Sequence, residues 1–226
     1  MMGAAAPSDL RAGVVETARR MNAVGLNQGT ASNLCARRPD GEGIFVTPSG
    51  VVYDSMTPAD VIALDWDGEW RCDVDGRRPS SEWRFHRDIL RARAEFGAVV
   101  HAHPIHATAL AVHGRAIEAF HYMVAVAGGC DIRCAAYATF GTQQLSDHVL
   151  EALEGRKACL MAHHGLIACG RDLSEALALA VEVETLARQY LAALAIGEPA
   201  RLSEAEMARV LAKFGASDGY GSGEEG

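Results

Sequence analysis

Lysine is almost missing from this chain: among 226 residues only Lys157 and Lys213 carry an ε-amino group. Long apolar runs are missing as well, and none approaches the roughly 20 residues that a membrane-spanning helix needs. The opening "MMGAAAPSDLRAG" lacks the basic stretch followed by an apolar one that marks a secretory leader, so a cytoplasmic protein is expected. No basic stripe offsets the net charge of −8, so neither nucleic acid nor a membrane is an expected partner. Walker loops and dinucleotide fingerprints are absent, which argues against nucleotide binding. The cysteines are scattered, and the pair in "CDIRC" (Cys130, Cys134) is one residue too wide for a redox or zinc-knuckle motif. Free thiols packing as small apolar side chains are the expectation.

What is present is ordinary globular composition, 49% hydrophobic and 22% charged. Apolar spacing predicts a first helix over "DLRAGVVETARRMNAVG", with Ser8 before it and Gly25 closing it. "SNLCARRPDGEGIFVTPSG" and "VIALDWDGEWR" read as strand pairs around tight turns. A helix follows from "SSEWRFHRDILRARAEFG", then the strand "GAVVHAHP" and a short helix in "HATALAVHG". "DIRCAAYATFG" and "RKACLMAHHGLIACG" look like strands on either side of a helix in "LSDHVLEALEG". "SEALALAVEVETLARQYLAALAIG" is a long helix with apolar residues on more than one face, which predicts burial on two sides. "SEAEMARVLAKFG" is a last helix begun by a Ser203–Glu206 capping box. No repeat or linker interrupts the pattern, so one α/β domain over residues 1–226 is expected, with a mobile tail from about residue 215.

The chemistry gathers around histidine. In "AVVHAHPIHATAL", His101 and His103 stand two apart at the end of a strand and so face the same way. Two imidazoles on one side can point at a single metal ion. A second cluster, His163 and His164 in "LMAHHGLIACG", can supply one more, since only one of two adjacent strand residues faces a given side. Periodicity does not say which. Three neutral imidazoles leave an open coordination position, the mark of a catalytic site. A catalytic metal also wants a carboxylate nearby to move protons, and Glu82 in "PSSEWRFH" is the candidate. Ser80 and Ser81 precede it, where a helix start with free N–H groups and hydroxyls can cradle phosphate. Two turns could complete that cradle, "GLNQGTASN" (25–33) and "TPSG" (47–50). An acidic protein could hold phosphate this way, with amides and hydroxyls in place of lysine.

Taken in order, the blocks "GLNQGTASN", "TPSG", "PSSEWRFH", "HAHPIH", "HYMVAVAGG", "YATFGT" and "HHGLIACG" resemble the class II aldolase/adducin family. The resemblance implies a central, mostly antiparallel sheet flanked by helices in three layers, assembled as a homotetramer. It implies one zinc ion per subunit, held by His101, His103 and His164, with Glu82 both ligand and catalytic acid/base. Phosphate would sit among Ser32, Asn33, Ser49, Gly50, Ser80 and Ser81. The family has glycine where Ser32 stands, a harmless change if phosphate uses that backbone amide. Tyr122 would reach into a neighbouring subunit's site, Phe140 would line the aldehyde pocket, and Tyr220 is a possible aromatic from the chain end. The implied reaction is reversible cleavage of L-fuculose 1-phosphate, or a related ketose 1-phosphate, to dihydroxyacetone phosphate and L-lactaldehyde through an enediolate. Neither lysine lies in a motif, which suits a mechanism with no Schiff base. The alternatives within the family are a sugar-phosphate 4-epimerase, such as one acting on L-ribulose 5-phosphate, or another metal-dependent sugar-phosphate lyase, a dehydratase or decarboxylase acting on related phosphates. Outside enzymes the alternative is an adducin-like binding module, which would have no need of three metal-directed histidines beside Glu82.

Overall fold

The computed structural model describes residues 7–216. Among the described residues, helix α1 (Pro7–Ala23) comes first, followed by strands β1 (Asn33–Arg37), β2 (Gly43–Val46), β3 (Ile62–Asp65) and β4 (Trp70–Arg71). Helix α2 (Trp83–Ala92), strand β5 (Ala98–Ala102) and helix α3 (Ile105–Val112) follow. After a 3₁₀ turn (Tyr122–Ala127) come β6 (Cys134–Ala135), α4 (Gln143–Ala152), β7 (Ala158–Met161), β8 (Gly165–Gly170), α5 (Leu173–Ile196) and α6 (Glu204–Ala216). The eight strands form one sheet in the order β4-β3-β2-β1-β5-β8-β7-β6. Every pairing is antiparallel except the parallel contact of β6 with β7.

Alternation along the strands makes two cores. Leu34, Ala36, Val100, Leu166 and Ala168 face one way and pack with α1, α3 and α5. Cys35, Val99, Ile167 and Cys169 face the other way, under Phe85, Ile89 and Leu90 of α2 and Leu145 and Val149 of α4. The sheet is thus the middle of three layers. Helix α5 packs within the chain itself against β8, β5, α3 and α1, with buried residues from Ala176 to Tyr190. His101 has the parity of Val99, so it points into the α2/α4 layer at the sheet's end.

Three local features depart from the sequence pattern. "DIRCAAYATFG" contributes only the two-residue β6, and Tyr137–Thr142 then runs as a loop. "RKACLMAHHGLIACG" is two strands: Met161 pairs directly with Gly165, so His163 and His164 sit in the tight turn between β7 and β8. Helix α6 shows half of its capping box, with Glu206 N–H donating to Ser203 Oγ at 3.2 Å while the Glu206 carboxylate pairs with Arg209. Gly215 and Ala216 close that helix, and the rest of the expected mobile tail, with Tyr220, lies outside the described residues. All six cysteines are free thiols, and burial pushes Cys134 up to about 11, which leaves no thiolate for redox chemistry there.

Candidate active site

Four elements converge at one end of the sheet. His101 is in β5 between Asn33 of β1 and Ile167 of β8, and is fully buried. His103 follows the end of that strand, just before Pro104 caps α3. His164 comes from the β7–β8 turn. Glu82 stands at the N-cap of α2, yet its side chain makes no capping bond. Instead it is 5% exposed and turned inward on the histidines. Glu82 Oε2 lies 3.2 Å from His101 Nε2, and Oε1 lies 3.0 Å from His164 Nε2. Donor atoms of Glu82, His101, His103 and His164 all fall within 4.8 Å of one another.

The cluster fits a divalent cation by its unsatisfied atoms. His101 Nε2, His103 Nε2 and Glu82 Oε1 are buried with no well-directed hydrogen bond, the close approaches to Glu82 being those of His101 and His164 within the cluster itself, a costly arrangement unless a cation binds between them. The backbone carbonyl of Leu166 accepts from His101 Nδ1 at 2.9 Å, which leaves Nε2 as the free nitrogen. Burial, reinforced by His101 and His164, pushes His103 down to about 3, so it is a neutral imidazole with a lone pair to give. Burial alone would raise the Glu82 carboxyl; positive charge at His101 and His164, of the kind a bound cation also supplies, outweighs it and holds the group well below the usual carboxylate range. A carboxylate with three imidazoles is a donor set that zinc accepts.

Close packing makes this convergence possible. A Cβ on Gly165 would come within 2.4 Å of the Ala102 carbonyl and 2.7 Å of the His103 ring, so only glycine fits where β8 starts. A Cβ on Gly141, whose φ is +74°, would meet the Ser81 carbonyl at 2.7 Å. That contact lays the Phe140 loop against the Ser80–Ser81 turn, and Arg84 fastens it by donating to the Gly141 carbonyl at 2.6 Å.

Above the four ligand candidates opens a cleft of about 350 Å³. Ser32, Asn33, Ser49, Gly50, Ser80 and Ser81 line it with Glu82, His103 and His164, so the three turns named for phosphate meet in one place. Tyr137, Ala138 and Phe140 form an apolar wall, with the Tyr137 and Phe140 rings 60% and 64% exposed. Ser49 N–H donates to the Arg78 carbonyl at 2.9 Å and Ser80 N–H to the Thr47 carbonyl at 3.1 Å, pinning two of the turns together. Those amides are therefore engaged.

The resemblance implies a phosphate contact at Ser32, with its backbone amide able to serve, and the structure shows that amide engaged. Ser32 N–H already donates to Asn27 Oδ1 at 3.2 Å, while the Ser32 hydroxyl is buried with no partner. The free donor is the side chain. Asn33 also differs from a simple phosphate contact: its Nδ2 donates to Glu82 Oε2 at 2.9 Å and its Oδ1 faces His86 Nε2. Tyr122 is 47% exposed on the 3₁₀ turn and does not line the cleft of its own chain. His163, the other member of the doublet, lines the cleft beside Tyr137. Neither Tyr137 nor His86 stands out in the sequence as a site residue. Both fall inside the blocks "YATFGT" and "PSSEWRFH", and His86 also sits one helical turn after Glu82, a spacing that could have flagged it.

The family model for the class II aldolase and adducin N-terminal domain matches residues 12–191, and the chain belongs to that family as a class II aldolase. It is 57% identical over 205 residues to a 5-methylthioribulose-1-phosphate/5-deoxyribulose-1-phosphate aldolase of Rhodospirillum rubrum, covering 91% of this chain and 90% of the relative. It is 48% identical over 202 residues to the L-fuculose phosphate aldolase of Escherichia coli K12, covering 89% and 92%. Among solved structures, an L-fuculose 1-phosphate aldolase superposes with a TM-score of 0.88 at 35% identity, over 93% of this chain and 98% of that one. No helix among the described residues is long and apolar enough to cross a membrane.

Proposed function

We propose that the chain is a zinc-dependent aldolase for ketose 1-phosphates whose far end is apolar. The candidates are L-fuculose 1-phosphate, named for the E. coli relative, and 5-deoxyribulose or 5-methylthioribulose 1-phosphate, named for the R. rubrum relative. The 57% identity to the latter favours the ribulose pair as a second reading beside fuculose. One observation carries the proposal: Glu82, His103 and His164, backed by the buried His101, line a cleft together with the serine hydroxyls and the rings of Tyr137 and Phe140, and unpartnered ligand atoms of Glu82, His101 and His103 meet there.

The residues divide the work. Ser32 Oγ, Ser49, Gly50, Ser80 and Ser81 receive the phosphate with neutral donors, which an acidic chain with two lysines needs. Tyr137, Ala138 and Phe140 face the methyl or methylthio end of the sugar. When bound at Glu82, His101, His103 and His164, zinc would supply Lewis acidity, stabilising the negative charge that develops as the bond between C3 and C4 breaks. The electron pair stays with the phosphorylated three-carbon fragment, and the C4 hydroxyl passes its proton by way of Tyr122 of a neighbouring subunit to solvent as it becomes the aldehyde. Glu82 takes up one proton from solvent and delivers it to C3 during cleavage, and it removes that proton during synthesis. No lysine lines the cleft, so no residue there can form an imine. Tyr122 is proposed to act on the aldehyde side of a neighbouring subunit's site in a four-fold homotetramer, which accords with its exposure outside its own cleft. A cytoplasmic location suits substrates too highly charged to cross a bilayer unaided.

Purified protein should contain close to one equivalent of zinc, lose activity on chelation and regain it with added zinc. Free dihydroxyacetone phosphate should appear from at least one of the three ketose 1-phosphates. An isomerised sugar phosphate with no three-carbon product would replace the aldolase with a 4-epimerase.

A further inference from the structure

We propose that His86, which lies outside the cleft, is a positioning residue that fixes which end of the Asn33 amide faces Glu82. The inference rests on the reading that Glu82 shares a cation with the three histidines. An asparagine side chain has a donor end and an acceptor end, and beside a carboxylate they act in opposite senses. The NH₂ group anchors an ionised oxygen; the carbonyl repels it. Asn33 opens β1 directly opposite His101 in the ladder, and its Nδ2 donates to Glu82 Oε2 at 2.9 Å. Its Oδ1 accepts from His86 Nε2.

His86 is one turn after Glu82 on α2, completely buried and not among the residues that line the cleft. Burial, followed by the neighbouring His101, pushes the imidazole down to about 3, so the ring is neutral and carries a single N–H. Its Nδ1 has no partner. A proton on Nδ1 would strand that N–H in the core. It would also set Nε2 and Asn33 Oδ1 against each other as two acceptors, an arrangement relieved only by flipping the amide. A flip would turn the carbonyl onto the Glu82 carboxylate. The Nε2–H tautomer therefore holds Asn33 in the orientation that supports Glu82. One helix thus carries both the carboxylate and the remote group that steadies it.

Losing a hydrogen-bonded support behind a metal ligand typically costs ~10–100-fold in metal affinity or activity. The test compares His86→Leu, His86→Gln and Asn33→Leu, using zinc competition against a chromophoric chelator together with kcat and KM for cleavage. In His86→Leu, zinc affinity and kcat should each fall about 10–100-fold while KM moves little. His86→Gln, which still offers an N–H from a side chain of similar reach, should recover most of both. Asn33→Leu should lose as much as His86→Leu, and the double variant should lose no more than either, because the two residues act as one unit. Additive losses would overturn the proposal. So would a folded His86→Leu protein with zinc affinity and kcat within about twofold of the parent. Should His86→Leu fail to fold, a near-normal His86→Gln beside an impaired Asn33→Leu supports the proposal, and any other pattern overturns it. Absence of zinc binding in the unaltered protein is a separate result, and it would remove the metal centre itself.

Discussion

His163 and His164 are neighbours in the chain whose rings have different partners. His164 Nε2 stands 3.0 Å from Glu82 Oε1, whereas the His163 ring meets Tyr137 edge-on with centroids 5.8 Å apart. The backbone makes the division. His163 has φ +56°, the only non-glycine residue with positive φ among those described, and that left-handed step turns the hairpin between β7 and β8. His164→Ala should therefore lower zinc affinity by more than the ~10–100-fold that a lost supporting partner costs. His163→Asn, with a side chain that tolerates the left-handed region, should keep its zinc. Chelator competition on both variants checks this, and equal losses would contradict the assignment.

Glu82→Gln keeps the shape of the side chain and its contact with Asn33 while removing the charge and the proton-transfer capacity. Turnover should fall by about 10²–10⁴, the range for a lost general acid–base. Binding of inorganic phosphate, measured by protection of the cleft or by calorimetry, should survive, because the hydroxyl wall is untouched. Turnover at the parent's rate would remove Glu82 from its role.

Much of this site is legible in the amino-acid sequence alone, and the parts that are not share a physical cause. Strand parity puts His101 and His103 on one side, because that parity is a property of the local backbone. The choice between His163 and His164 depends on one residue's φ, which no hydropathy pattern reports. Likewise "RKACLMAHHGLIACG" reads as one apolar run, since a hairpin turned by histidine carries none of the usual Asn-Gly or Asp-Gly signals. The phosphate turns are legible as turns. Which of their amides remain free is not, because Ser32, Ser49 and Ser80 spend theirs on partners distant in sequence or set by loop shape. Glu82 has the look of a helix-start carboxylate, and only the tertiary packing shows it turned away from its own helix.

Ser32 gives a direct test of that engaged-amide finding. If its hydroxyl is the donor, Ser32→Ala and Ser32→Gly should behave alike, although glycine restores the residue that the family resemblance implies. A hydrogen bond to a charged group contributes ~1.5–3 kcal/mol, so KM for a ketose 1-phosphate should rise about tenfold or more with kcat little changed. Unchanged KM in both variants would return the role to the backbone.

Asp88 ties α2, the helix that begins at Glu82, to α4. It accepts from Gln143 Nε2 at 2.8 Å and Ser146 Oγ at 2.7 Å and pairs with Arg87. Burial would raise its carboxyl, but Arg87, Gln143 and Ser146 more than offset this and lower it below the ordinary value. A lowered folded-state value means stability that is complete above the unfolded carboxylate's value of about 3.9 and is lost as pH falls through the folded one. Asp88→Asn should therefore be less stable than the parent near pH 7, and the gap should close as both are acidified below about pH 4. Thermal melts of the two proteins across that range provide the measurement; a gap that widens on acidification would mean the sign is wrong.

Tyr122 is the one proposed catalytic group that its own chain keeps away from the cleft, so its role depends on assembly. The ring is 47% exposed at the start of the 3₁₀ turn, against which α6 packs from the same chain. If it serves a neighbour, Tyr122→Phe and Glu82→Gln damage different copies of each composite site. Unfolding and reassembling the two variants together would create sites that combine an intact Glu82 from one chain with an intact Tyr122 from another. Activity above that of either variant alone is the expected outcome, rising with the fraction of mixed oligomers seen by native mass spectrometry. Mixed oligomers that form and stay as inactive as their parents would show that Tyr122 and Glu82 do not meet across an interface.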